Sequence, residues 1–112
     1  MTSLVSLFLY QNQLSGCIPK EVSELKNMSV LLLYDNKFTC SIESLFSAAQ
    51  STLQTIDISS NRLTGGLPSS IFTLPQLETL SLAENCFSTT SLPDTVCNAS
   101  SLRSLILDGL HS

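Results

Sequence analysis

Leucine and isoleucine recur along this chain at a fixed spacing and alternate with polar residues. Residues 53–74, LQTIDISSNRLTGGLPSSIFTL, contain the spacing in one piece, L-x-x-L-x-L-x-x-N-x-L-x-G-x-x-P-x-x-I-x-x-L. Its first position recurs every 24 or 25 residues, at Leu4, Met28, Leu53, Leu77 and Leu102. Such a period is typical of a solenoid, in which each unit forms one coil and buries its apolar side chains against its neighbours. We number the coils one to five from these starts.

The alternation near the start of each coil predicts a short β-strand. In coil one, Leu7 and Leu9 are inward positions and Phe8 and Tyr10 are outward ones, because successive side chains of a strand point to opposite faces. Strands of successive coils are expected to lie side by side as a parallel sheet. A second alternation over residues 14–18 predicts another extended segment, which turns away from this sheet.

One asparagine occupies the same position in four consecutive coils, where the chain leaves the strand. An amide side chain both donates and accepts hydrogen bonds. Stacked amides can therefore satisfy buried backbone groups, each of which would otherwise cost about 1 to 3 kcal/mol. We expect a structural asparagine ladder of Asn12, Asn36, Asn61 and Asn85. The apolar residues two positions further on are expected in the core: Leu14, Phe38, Leu63 and Phe87.

Three coils depart from the template. In coil two, Cys40 replaces the glycine and the proline is absent, while apolar residues with helical spacing in 42–49 predict a short helix around Glu43 to Gln50. In coil four the displaced leucine and proline predict a bulge near residues 89–90. In coil five Leu110 stands where the asparagine is expected, so the repeat weakens there.

Charge and hydropathy narrow the range of partners. The net charge of −4 provides no field that attracts phosphate backbones or anionic lipid, so nucleic acid and membrane surfaces are poor candidates. The longest apolar run, 30–34, is too short to cross a membrane, and residues 1–10 lack the basic and apolar regions of a signal peptide. We expect a piece of a longer repeat protein, without its terminal caps.

The form LxxLxLxxNxLxGxIP closely resembles the plant-specific class of leucine-rich repeat. This class is found in the ectodomains of plant receptor-like kinases, receptor-like proteins and polygalacturonase-inhibiting proteins. The match runs from Leu4 to Leu107, and 14–19 (LSGCIP) and 63–68 (LTGGLP) are its most specific parts. We expect residues 1–112 to form a single leucine-rich repeat domain of about four and a half repeats.

This resemblance implies an α/β solenoid. The chain would form a right-handed coil with a parallel sheet on the concave face and short helices or irregular turns on the convex face. It also implies a secreted or cell-surface module that recognises peptides, proteins or glycans on the concave face. The repeat is a scaffold reused for many partners, so it does not name the ligand. An intracellular leucine-rich repeat scaffold for protein–protein interaction is the alternative.

Residues for catalysis or metal binding are scarce. The single histidine, His111, lies near the end of the weakened coil, and no catalytic or phosphate-loop motif occurs. The Gly65-Gly66 pair is interpreted as a turn at the template glycine. The cysteines are too widely spaced for a metal site. We predict a non-enzymatic chain with no cofactor and no metal, which is compatible with a kinase or other catalytic domain elsewhere in the parent protein.

The cysteines and two sequons bear on the cellular compartment. Cys17 and Cys40 occupy neighbouring positions of adjacent coils, about one strand spacing or ~4.8 Å apart, which is disulfide distance. Two free buried thiols are the alternative, and the pairing of Cys86 and Cys97 stays open. N-x-[ST] sequons begin at Asn27 and Asn98 and are glycosylation sites in a secreted protein, although a serine-rich chain also produces them by chance. Together these features favour an oxidising, extracellular location.

The outward strand positions form the candidate binding surface. Across the coils they make three columns: Phe8, Leu32, Asp57, Ser81 and Ile106; Tyr10, Tyr34, Ser59, Ala83 and Asp108; Gln11, Asp35, Ser60, Glu84 and Gly109. Exposed apolar patches mark interaction sites more often than chance allows. We predict that a peptide or protein segment with basic character contacts Phe8, Tyr10, Leu32, Tyr34, Asp35, Asp57 and Glu84. The alternative is that further coils or a cap cover Phe8 and Leu32.

Overall fold

One strand from each coil contributes to a parallel sheet. The computed structural model describes residues 5–47, 49–87 and 101–107. Within these residues the strands are β1 (Ser6–Phe8), β2 (Ser15–Cys17), β3 (Val30–Leu32), β4 (Lys37–Thr39), β5 (Thr55–Asp57), β6 (Thr79–Ser81) and β7 (Ser104–Ile106). The main sheet has the order β1-β3-β5-β6-β7, and β2 pairs with β4 in a second, two-stranded sheet. The predicted solenoid with a parallel sheet on its concave face is confirmed.

The register of the main sheet brings equivalent template positions together. Phe8 pairs with Leu32, Leu32 with Asp57, Asp57 with Ser81, and Ser81 with Ile106. The residues predicted to point inward are fully or nearly fully buried in the three central coils: Leu31, Leu33, Ile56, Ile58, Leu80 and Leu82. Each such side chain contributes about 1.5 to 3 kcal/mol of burial free energy, so the core is a stack of apolar layers, one per coil.

The described residues cover only one side of coil one, the side that faces coil two. Leu14 was expected in the core but is 39% exposed, and the predicted inward residue Leu9 is 36% exposed. Phe38, Leu63 and Phe87 occupy the position of Leu14 in the next three coils and are buried. The difference follows from stacking, since a coil buries its interior against two neighbours and the described residues give coil one a single neighbour.

In the described residues the convex side consists of short 3₁₀ helices and turns. Helices Lys20–Glu24 and Ser69–Thr73 each follow a template proline, whose carbonyl accepts the first bond of the turn. The predicted helix around Glu43 to Gln50 is wrong, because the described residues there form turns and bends. Coil two lacks the proline, and its backbone bonds run three residues back, from Leu45 to Ile42 and from Gln50 to Ser47.

The template glycine position requires a left-handed backbone. Gly16 and Gly65 both have φ of +82°, and Cys40, which replaces the glycine in coil two, has φ of +75°. A side chain at this position is strained, which is the reason that the template prefers glycine. The bulge predicted near residues 89–90 and the weakened repeat at Leu110 lie outside the described residues.

Backbone protection is expected to be highest in the central coils. Leu31, Ile56 and Leu80 are fully buried, whereas Leu7 and Leu105 are only partly buried against the core. Amide hydrogen exchange should therefore be slower in β3, β5 and β6 than in β1 and β7, because local opening is easier where few apolar contacts are lost. Equal protection of outer and central strands would contradict this picture of the stacking.

Candidate functional site

Three ladder asparagines, Asn36, Asn61 and Asn85, form hydrogen bonds with the coil that precedes their own. Asn61 Oδ1 accepts a bond from Phe38 N at 3.1 Å, and its Nδ2 lies 3.0 Å from the carbonyl of Leu33 in the preceding coil. The same Nδ2 lies 3.1 and 3.0 Å from the Ile58 and Ser59 carbonyls of its own coil. Asn36 and Asn85 repeat this arrangement with their own preceding coils. The ladder thus holds the end of every central strand in place.

Asn12 differs from the other ladder residues. It is exposed, and among the described residues its Nδ2 donates only to the Leu9 and Tyr10 carbonyls of its own coil, at 3.2 and 3.0 Å. The other three asparagines reach back to a preceding coil, and the described residues give coil one none. The sequence position is therefore shared by all four residues, but the bridging role is carried by Asn36, Asn61 and Asn85.

In coils one to four, the residue directly before the asparagine, three residues after the end of the strand, has a left-handed backbone. Gln11, Asp35, Ser60 and Glu84 have φ between 53° and 58°. Three of their amides still donate sideways to the next coil, as Asp35 does to Ser59 at 3.2 Å. None of these four residues is glycine, so their identities did not predict this conformation. Its effect is to set Asp35 and Glu84 as exposed side chains along one edge of the concave face.

Two tyrosines stack on the concave face of coils one and two. The rings of Tyr10 and Tyr34 have centroids 4.9 Å apart and planes only 4° apart, while Phe8 lies beside Tyr10 at 6.3 Å with a tilt of 46°. Phe8 is 54% exposed and Tyr10 38% exposed, and Leu32 and Tyr34 are half-buried. The structure therefore brings the four predicted aromatic and apolar residues together in one accessible patch.

Carboxylates lie beside this aromatic patch. Asp57 is half-buried in coil three, and its Oδ1 accepts bonds from Ser59 N at 3.1 Å and Ser59 Oγ at 2.6 Å. Glu84 accepts a bond from Ser60 Oγ at 2.9 Å. Among the described outward strand positions and the left-handed residues that follow them, no lysine or arginine is present to balance these charges.

The ionisation of Tyr34 reports this negative surrounding. Partial burial, and then the neighbouring Tyr10, Asp57 and Asp35, raise the pKa of Tyr34 above its ordinary value of 10.0. An absorbance titration should show a Tyr34 pKa above 10.0, and Asp57→Asn should lower that pKa. Because the folded state holds the proton more tightly, this contribution to stability is present below the ordinary pKa and is lost as pH rises through the raised value.

Glu21→Gln is the control for this titration, since Glu21 lies in the convex 3₁₀ helix. It should leave the tyrosine titration unchanged. A Tyr34 pKa at or below 10.0, assigned by comparison with Tyr34→Phe, would contradict the described surrounding of the ring.

The remaining site residues lie away from the concave patch. Cys17 and Cys40 form a disulfide with Cα atoms 5.3 Å apart, at the second sheet. Cys86 is half-buried, and Cys97 lies outside the described residues. Asn27 is exposed in a turn after the first 3₁₀ helix, and the second sequon, at Asn98, lies outside the described residues.

Polar side chains that sequence reasoning missed also join the coils. Gln50 is fully buried, and its Nε2 donates to the Val22 carbonyl at 3.0 Å. Thr52 Oγ1 donates to the Met28 carbonyl and Ser101 Oγ to the Leu77 carbonyl, each at 2.8 Å. Thr52 and Ser101 share the position just before the first template leucine, and that recurrence of a hydroxyl was the signal available in the sequence.

Among the described residues, no helix combines the length and the apolar character needed to cross a membrane. Over the same ranges, no group of histidine, cysteine, aspartate and glutamate side chains is arranged to hold a metal ion.

Comparisons with known proteins agree with the architecture. A family model described as leucine-rich repeat matches residues 51–110, and a second of the same description matches residues 3–25. Receptor-like protein 35 of Arabidopsis thaliana is 36% identical over 62% of this chain, which spans 7% of that protein. Ras guanine nucleotide exchange factor V of Dictyostelium discoideum is 33% identical over 75% of the chain, which spans 5% of it. The chain thus spans less than a tenth of the length of either relative.

A solved structure shares the fold as well as the sequence pattern. The Arabidopsis receptor kinase HAESA, in complex with the peptide hormone IDA and the co-receptor SERK1, is 35% identical with a TM-score of 0.82. The superposition covers 95% of this chain and 17% of that one. The repeated template, the stacked parallel strands and these matches show that the chain belongs to the leucine-rich repeat family, in its plant-type form.

Proposed function

We propose that the concave face of this solenoid binds a peptide or protein segment with basic character. The observation that carries the proposal is the stacked pair Tyr10 and Tyr34, accessible on the concave face. Tyrosine supplies a large contact area at a low cost in conformational entropy, and aromatic anchors dominate the energetics of interfaces. The carboxylates of Asp35 and Asp57 near Tyr34, and of Glu84 two coils further along the same face, favour a cationic partner and disfavour an anionic one.

Similarity to known receptors supports a role in recognition rather than catalysis. The HAESA ectodomain, which has the same fold, binds a peptide hormone. An extended peptide fits a parallel sheet of this kind, since its side chains can reach several strands at once. A glycan is the other ligand class compatible with exposed tyrosines and carboxylates.

The binding proposal is tested by removing the aromatic pair. Peptides selected from a randomised library on the wild-type chain should be enriched in lysine and arginine, and Tyr10→Ala/Tyr34→Ala should weaken their binding at least about tenfold. Lys20→Ala in the convex helix is the matched control and should change affinity less than about twofold. Affinity kept within twofold in the double variant, with the circular dichroism spectrum intact, would reject this surface as the site.

We further propose a secreted or cell-surface location. The Cys17–Cys40 disulfide requires an oxidising compartment to persist, and Asn27 is exposed and so accessible to glycosylation. Intact-mass measurement of material from a secretory host, with and without enzymatic glycan removal and reductant, should show a glycan and the disulfide. Four free thiols without a glycan would instead favour the alternative, an intracellular protein-binding scaffold. That alternative is supported by the match to a Ras exchange factor, a relative not named as a receptor.

A further inference from the structure

The tyrosine stack ends abruptly at coil three. Tyr10 and Tyr34 lie in one outward column with ring centroids 4.9 Å apart, which is about the spacing of adjacent strands. The next two residues of this column are Ser59 and Ala83, which are too small to continue the stack. Because the two rings are parallel and follow the stacking of the coils, the second face of Tyr34 lies on the side of coil three. An open space is therefore left above Ser59 on this face of Tyr34, and we call it the slot.

The slot has a negative wall. Asp57 belongs to the same strand end as Ser59, and both the backbone N and the Oγ of Ser59 donate to Asp57 Oδ1. These two bonds fix the carboxylate and do not engage its Oδ2. Asp57 and Asp35 both lie near enough to Tyr34 to disfavour its phenolate. The aromatic face of Tyr34 and the fixed carboxylate of Asp57 thus border the same small space.

We propose that this slot, bounded by Tyr34, Ser59 and Asp57, binds the guanidinium group of an arginine side chain of the partner. The proposal rests on the proposed function and names the chemistry of one contact within it. Guanidinium is planar, stacks on aromatic faces and pairs with carboxylates in a fixed fork geometry. A lysine ammonium carries the same charge but cannot continue a stack of parallel rings, so the slot distinguishes arginine from lysine.

The test uses small probes of defined chemistry. N-acetyl-arginine amide, N-acetyl-lysine amide and N-acetyl-citrulline amide are titrated separately into the chain while the ring resonances of Tyr34 are followed by NMR. Citrulline keeps the planar shape but carries no charge. The arginine probe should give a saturable shift, with an affinity at least about fivefold higher than lysine and about tenfold higher than citrulline.

Three variants locate the contact. Asp57→Asn should weaken arginine binding about tenfold, since it removes a charge-assisted pair. Ser59→Tyr fills the slot and should abolish the saturable shift, and Tyr34→Leu, which keeps an apolar side chain but removes the aromatic face, should do the same if Ser59→Tyr does not fold. Glu21→Gln, in the convex helix, should bind as the wild type does.

The outcomes separate this inference from the proposed function. Equal affinities for the arginine and lysine probes would contradict the guanidinium slot but would remain compatible with a concave face that attracts cations. An arginine shift that persists in folded Ser59→Tyr, or in Tyr34→Leu at the neighbouring Tyr10 and Ser59 resonances, would also overturn it. Loss of peptide binding in Tyr10→Ala/Tyr34→Ala would still support the proposed function in either case.

Discussion

Replacing Asn61 with alanine is expected to destabilise the solenoid by about 3 to 5 kcal/mol. Asn61 is 8% exposed. Its Oδ1 accepts a hydrogen bond from one backbone N–H, and its Nδ2 lies within hydrogen-bond distance of three backbone carbonyls, so its partners belong to two coils. Alanine leaves these groups without their partner, in a part of the fold where Leu33 and Ile58 are buried. A loss of this size is a large fraction of the 5 to 15 kcal/mol that stabilises a typical domain.

Asn12→Ala is the matched control for this measurement. Asn12 occupies the same template position, but its amide is exposed and, within the part of the chain that the structure describes, donates only to carbonyls of its own coil. Urea unfolding should show a loss of about 1 kcal/mol or less for Asn12→Ala. Equal losses for the two variants would mean that bridging between coils is not the source of the stabilisation.

Removal of the Cys17–Cys40 disulfide is expected to cost about 3 kcal/mol, the value for a closed loop of roughly this length. The loss should be concentrated in coil one, whose apolar residues are the least covered. Hydrogen exchange of Leu9 and Gln11, which donate to the Leu32 and Tyr34 carbonyls of coil two, should accelerate in Cys17→Ser/Cys40→Ser. Unchanged exchange at these two amides would show that the bond does not hold coil one.

The replacement chosen at position 40 gives an internal control. Cys40 has φ of +75°, a conformation that glycine adopts without the penalty of a side chain. The free energy of unfolding in urea should therefore be higher for Cys17→Ser/Cys40→Gly than for Cys17→Ser/Cys40→Ser, by about 1 kcal/mol. The opposite order would argue that the strain at this position is relieved in another way.

Periodicity was sufficient to predict the fold because a solenoid repeats the same local backbone arrangement in every coil. The spacing of Leu53, Ile56, Ile58 and Asn61 contains the strand, its inward face and the turn that follows, and each coil packs mainly on its neighbours. The outward columns follow from the same register. Their alignment across Phe8, Leu32, Asp57, Ser81 and Ile106 was predictable from the repeat spacing alone.

Features that depend on a single coil were not predictable in the same way. Helical spacing of apolar residues in 42–49 suggested a helix, but the buried Gln50 side chain accepts from Ser47 N and donates to the Val22 carbonyl, and the segment is held in turns. Asp35 has a left-handed backbone in which its amide donates to the Ser59 carbonyl of the next coil, and the repeat spacing does not specify this conformation. The parallel stacking of Tyr10 and Tyr34 depends on side-chain rotamers, which the sequence alone does not specify.

The central claim, that the concave face is the recognition surface, is tested most directly by mapping where a bound peptide lies. A library-selected peptide carrying a benzophenone photo-crosslinker is irradiated on the chain, and the attached residues are identified by mass spectrometry. Crosslinks are predicted on the outward positions of β1, β3 and β5, around Phe8, Leu32 and Tyr34. Crosslinks confined to the convex helices Lys20–Glu24 and Ser69–Thr73 would contradict the claim.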